Sequence, residues 1–106
     1  MSEIIVVAKA KAKKGSEADL EKAVRAVIRL THEEAGCLKY ALSRSLEDAA
    51  SFMITERWAS KEAWDKHLVS LHIQELFGKL PALVAAPVDM QVFQPLPEGQ
   101  AEKGVI

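Results

Sequence analysis

A chain of 106 residues, 49% of them apolar, is one domain's length, enough to bury a single core but without room for separate binding and catalytic modules. Its 14 Lys plus Arg against 15 Asp plus Glu leave a formal net charge of −1, which excludes the electrostatic footprint of a nucleic-acid or anionic-membrane partner. No apolar run approaches the roughly 20 residues of a membrane span, the start Met1-Ser2-Glu3-Ile4 lacks a basic cleavable leader, and the lone Cys37 has no internal partner, so a cytoplasmic protein is expected.

Residues 3 to 12 alternate, Ile4, Val6, Ala8, Ala10 and Ala12 against Ile5, Val7, Lys9 and Lys11, which predicts a strand. Lys13-Lys14-Gly15 turns the chain, and Ser16 with Asp19 predicts a capped helix start. Leu20, Ala23, Val24, Val27, Ile28 and Thr31 then fall at helical spacing until Ala35-Gly36 stops the helix. Cys37 to Ser45 and Ala50 to Trp58 read as a hairpin closed by Leu46-Glu47-Asp48-Ala49. Ser60 caps a helix through His67, and Ser70 caps a second helical segment from Leu71 to about Leu80, interrupted by Pro81. Val88, Met90 and Val92 alternate in a last strand, so residues 1–94 form the domain and 95–106 a tail.

The order strand, helix, strand, strand, helix, strand is that of the split βαβ unit, an α+β, ferredoxin-like βαββαβ arrangement. Right-handed crossovers put the first and third strands at the centre of a four-stranded antiparallel sheet. Helices cover one face of such a sheet. The other would carry Ile5, Val7, hairpin residues such as Tyr40 or Met53, and Phe93, an apolar surface that a second copy would cover as a homodimer. A cavity would lie between sheet and helices, or at the seam.

Both tryptophans and two of the 3 histidines fall between Glu56 and His72, which gathers aromatic walls, a carboxylate and imidazoles suited to an acid/base pocket. His67 reads either as a base or as an imidazole tied to backbone or to Glu56. On an ideal helix, positions five apart point about 140° away from each other, so His67 and His72 share a site only if the chain bends at Val69-Ser70. The same spacing departs from the i, i+4 pair of a zinc helix, and no metal is expected. Glu56 shares a strand face with Phe52, Ile54 and Trp58, so it is partly buried and would orient an imidazole, bind a substrate hydroxyl or bridge to a lysine. His32, at a helix C-terminus, reads as solvated, and Cys37 as structural.

Glu34-Ala35-Gly36-Cys37-Leu38-Lys39-Tyr40, then Glu56-Arg57-Trp58, Ser60-Lys61-Glu62-Ala63 leading to His67, and Ser70-Leu71-His72 resemble the antibiotic biosynthesis monooxygenase superfamily. The resemblance is to its small quinol-monooxygenase-like members and runs to about Phe93. It implies a dimeric α+β barrel and a cofactor-independent oxygenation of quinol-like or polycyclic aromatic molecules by dioxygen. In that chemistry His67 or His72 would be the base, with Glu56 as the accompanying carboxylate. Trp58, Trp64 and Phe77 would enclose the ring, and Tyr40 would hydrogen-bond an oxygen. The positions matching the haem-degrading branch's functional triad hold His67, Phe77 and Ala8, which disfavours haem. A branch acting on a phosphorylated quorum-signal sugar also carries the paired histidines, with Lys66, Lys9 and Lys11 as phosphate candidates. The alternative from another class is a non-catalytic small-molecule-binding dimer.

Overall fold

The computed structural model describes residues 2–106. The elements are β1 (Ile4–Lys11), α1 (Glu17–His32), β2 (Cys37–Arg44), β3 (Ser51–Trp58), α2 (Lys61–Leu68), α3 (Leu71–Leu83) and β4 (Asp89–Phe93). The strands form one antiparallel sheet in the order β2-β3-β1-β4, the ferredoxin-like α+β topology with β1 and β3 central.

The alternation in β1 sets the layers. Val6, Ala8 and Ala12 are buried beneath the helices, and the register opposes Val6 to Glu56 and Ala10 to Phe52, so that face of β3 is buried with them. From α1, Leu20, Ala23, Val24 and Val27 pack onto this face with Phe52, Ile73 and Leu76. Fully burying one such Leu or Ile contributes about 1.5–3 kcal/mol, which holds α1 against the sheet. A second cluster of Val6, Tyr40 and Trp58 lies toward the other end, and the site is built beside it.

Local details differ from the sequence expectations for physical reasons. Ser60 caps α2 as expected, its hydroxyl accepting from the Ala63 N–H at 3.1 Å. Ser16 makes no side-chain cap bond to α1. Ser70 makes none to α3, because its hydroxyl donates back to the His67 carbonyl at 2.7 Å. Pro81 lies inside α3, which runs on to Leu83; the proline removes one backbone donor without halting the helix at this near-terminal position.

Tyr40 does not belong to the open face. The register shifts between Cys37 and Lys39, opposite Trp58 and Arg57, so Leu38 is the extra residue of a bulge. One inserted residue exchanges the faces of everything after it. Tyr40 is thereby turned under the helices, opposite Glu56, and is buried. The other face keeps Ile5, Val7 and Met53 half-buried and Phe93 46% exposed, while β4 is exposed throughout. No helix is long and apolar enough to cross a membrane among the described residues.

Candidate active site

Gly36 fixes the turn from α1 into β2. Its φ of 86° lies in the left-handed region, and a Cβ there would stand 2.5 Å from the Cβ of Ala63. Glycine therefore allows both the turn and the close approach of α2. That approach sets Glu34, two residues earlier, against the histidines.

The chain bends where the two histidines required it. Helix α2 ends at Leu68, α3 starts at Leu71, and the Ser70 N–H and hydroxyl both bond the His67 carbonyl. The two imidazole rings come to 6.3 Å between centroids. Glu34 lies between them, with one carboxylate oxygen, Oε2, 2.8 Å from His67 Nδ1 and 2.8 Å from His72 Nε2. A carboxylate oxygen only accepts, so both imidazoles present N–H to it; His67 is then the Nδ1–H tautomer, with a lone pair free on Nε2.

His67 is 3% exposed, tilted against Trp58 at 4.7 Å and edge-on to Tyr40 at 5.4 Å. Burial lowers its pKa; the Glu34 hydrogen bond and charge oppose this, and His72 adds slightly to the lowering. The ring is thus held neutral and able to accept a proton. Glu56 is the second buried carboxyl. It accepts from the Trp58 indole at 2.8 Å, so its partner is neither an imidazole nor a lysine, and the expected lysine bridge is replaced by this bond. Burial raises its pKa to about 7, against the Trp58 bond and with a smaller contribution from Glu34. The Tyr40 phenol is pushed far up by burial and then by the Glu56 and Glu34 charges. Burial, then Glu34 and Glu56, raise the Cys37 thiol to about 11, which makes it a poor nucleophile.

A largely apolar cavity lies between sheet and helices, lined on its polar side by Tyr40, Glu56, Trp64 and His67 and closed by Phe77 and Met90 among others. The Trp64 indole nitrogen is buried and has no hydrogen-bond partner among the described residues. The cavity measures about 50 Å³, whereas about 150 Å³ is what a benzene ring has been seen to occupy. It shares Phe77, Leu80, Val88 and Met90 with an open groove of about 560 Å³ between the end of α3 and the approach to β4. In this conformation it is too small for an aromatic ring.

Of the residues singled out from sequence, Tyr40, Glu56, Trp64, His67 and Phe77 line this one cavity. Trp58 stands behind it, fully buried against His67, and His72 meets His67 through Glu34 and is not part of the lining. No lysine lines the cavity among the described residues; Lys66 and Lys9 are exposed, and Lys11 pairs with Asp48 at 3.3 Å. Exposed His32 bonds the Tyr40 carbonyl. Sequence reasoning about the site missed Glu34, whose only signal was its place in the segment leading into β2.

The family profile described as antibiotic biosynthesis monooxygenase matches residues 3–79, which contain Glu34, Tyr40, Glu56, Trp58, Trp64, His67, His72 and Phe77. The chain belongs to this family. Rv0793 of Mycobacterium tuberculosis, named as a candidate monooxygenase, is 30% identical over 94% of this chain and 98% of its own length. The solved structure of Rv0793 superimposes with a TM-score of 0.88 over 93% of this chain and all of that one. PA3566 of Pseudomonas aeruginosa gives 0.85 at 26% identity, over 91% of this chain and 96% of that one. Protein sll1783 of Synechocystis is 24% identical over 86% of this chain, which spans 62% of its length. The family places the chain among monooxygenase-related proteins of this fold.

Proposed function

We propose that the protein is a cofactor-independent monooxygenase of quinol-like or polycyclic aromatic molecules, with His67 as its base. The observation that carries this reading is the 2.8 Å contact of Glu34 with His67 Nδ1, on a ring that also lines an apolar cavity. A carboxylate behind an imidazole holds its tautomer and stabilises the imidazolium that forms when the other nitrogen takes a proton. His67 removes an acidic proton from the phenol or from the activated ring carbon, giving an electron-rich anion. That anion reduces dioxygen, a carbon–oxygen bond forms, and the resulting peroxide loses water to leave a carbonyl. The Trp64 N–H, Tyr40 hydroxyl and protonated Glu56 supply donors for the developing oxyanion, in an apolar enclosure where such donors act most strongly.

The site is assigned to a cytoplasmic homodimer in which a second copy covers Ile5, Val7, Met53 and Phe93. The closed cavity's small volume favours one rival reading, a non-catalytic binding dimer that never opens to an aromatic ring. Oxygen consumption on a panel of hydroquinones and anthrones decides between them. Turnover above autoxidation that is lost in His67→Ala supports the oxygenase; no turnover by the wild type on any of the panel supports the rival. Light scattering at micromolar concentration tests the dimer, which a well-folded monomer would refute.

A further inference from the structure

We propose that Glu34, His67 and His72 form a binding site for a first-row divalent transition-metal ion. The inference does not rest on the oxygenase reading, because it concerns the Glu34-facing edge of His67.

Two imidazoles and one carboxylate are a donor set that suits Zn²⁺, Co²⁺ and Fe²⁺, with further positions left for water. Here the donors come from three places in the chain that the fold forces together: the turn after α1, the last turn of α2 and the first turn of α3. Their ligating atoms all lie within 4.8 Å of one another. The side chains of His67, Glu34 and His72 are 3%, 15% and 16% exposed, so these are not surface groups meeting by chance. The spacing argument against a metal assumed one straight helix. The break at Val69-Ser70 removes that assumption.

The geometry is close to what an ion requires. Each nitrogen stands 2.8 Å from the shared Glu34 oxygen, and neighbouring ligands on a six-coordinate ion with bonds of about 2.1 Å are about 3 Å apart. The two nitrogens have to lie no more than about 4.2 Å apart, the distance across such an ion. They lie within 4.8 Å of each other, so an ion draws the rings together by at most a small rotation of His72 at the start of α3. The ion takes the place of the two N–H protons, each of which moves to the far nitrogen of its ring. On His67 that nitrogen is the one the oxygenase reading uses, so ion and base exclude each other, and a bound ion inhibits any turnover that depends on His67.

The test is titration of Co²⁺ into chelator-stripped full-length protein, read by visible d–d absorption and by calorimetry, with Zn²⁺ as competitor. The expected result is one ion per chain with a dissociation constant of about 10 μM or below. Glu34→Gln and His72→Gln each weaken binding at least about tenfold, while His32→Ala leaves it unchanged. His72→Gln keeps a side-chain donor toward Glu34, and circular dichroism confirms that each variant is folded. Should a variant unfold, the wild-type thermal shift with Zn²⁺ decides: a saturable rise at one ion per chain supports the site, and none overturns it. Absence of saturable binding up to about 1 mM, or binding by Glu34→Gln and His72→Gln as tight as by the wild type, also overturns it. Neither readout involves turnover, so failure of this site and failure of the oxygenase reading are distinguishable.

Discussion

Glu34 and Glu56 are both largely buried, yet their surroundings assign them different work. Glu34 faces two imidazoles through one oxygen and lies outside the cavity lining; Glu56 faces one indole N–H and lines the cavity itself. On the oxygenase reading, the first orients the base. The second, whose carboxyl burial raises to about 7, still carries its proton up to about that pH, and on the oxygenase reading it serves as a donor. Two identical side chains thus acquire opposite roles from their neighbours, as environment rather than residue type sets the protonation of buried carboxyls.

The largest expected effect comes from exchanging the first member of this pair. Glu34→Gln removes the carboxylate beside His67 Nδ1 and allows the imidazole to turn over its tautomer. On the oxygenase reading, turnover should fall about 10²-fold or more, approaching the loss in His67→Ala. Glu56→Gln, which preserves a neutral donor, should cost far less. Steady-state oxygen consumption of the three variants measures this, and equal losses in Glu34→Gln and Glu56→Gln would erase the distinction.

The second member should reveal itself in stability. Because the folded Glu56 value lies above its ordinary 4.5, the proton is bound more tightly in the folded protein. The associated stability is complete below about 4.5 and is lost as pH rises through about 7. Glu56→Gln should therefore match the wild type near pH 4.5 and exceed it at pH 9 by up to about 3 kcal/mol. Urea denaturation at both pH values checks it; parallel curves would show that Glu56 is not held protonated.

Gly36→Ala acts on the other side of the comparison, through backbone. The added methyl meets Ala63 Cβ at 2.5 Å in a left-handed turn, which should destabilise the fold by about 1–3 kcal/mol. In folded protein it should also alter the His67 and His72 imidazole NMR signals, since it moves Glu34. Glu56, whose shift comes first from burial and only last from Glu34, should change its titration far less. Unchanged imidazole signals would mean that the turn does not position Glu34.

These two carboxylates also mark how far the sequence could be read. Right-handed crossovers set β1 and β3 at the centre of the sheet, and alternation in β3 placed Glu56 with Phe52, Ile54 and Trp58, because period-2 burial is a local property of a strand. Glu34 was invisible to that reasoning: its bonds span 33 and 38 residues of sequence, and past the end of α1 a glutamate looks solvated. Tyr40 was placed on the wrong face because one bulged residue, Leu38, has no distinguishing signal of its own. The meeting of His67 and His72 depended on a bend that Ser70 suggested and only packing decides. What escaped was in each case a register or a long-range contact, never the character of an element.

Trp64 offers the smallest effect and the finest test of the cavity's polar side. Its indole N–H is buried without a partner, and an unsatisfied buried donor costs about 1–3 kcal/mol. Trp64→Phe removes the donor and retains an aromatic ring, so the gain from removing the donor offsets the lost packing and net stability should change by less than about 1 kcal/mol. If the N–H instead waits for an oxygen of the substrate, the same variant should lower kcat/KM about tenfold, a loss of about 1.4 kcal/mol. Thermal denaturation and oxygen uptake on one preparation separate the two. Loss of stability with unaltered kcat/KM would make Trp64 a wall of the core and leave Glu56 and Tyr40 as the cavity's donors.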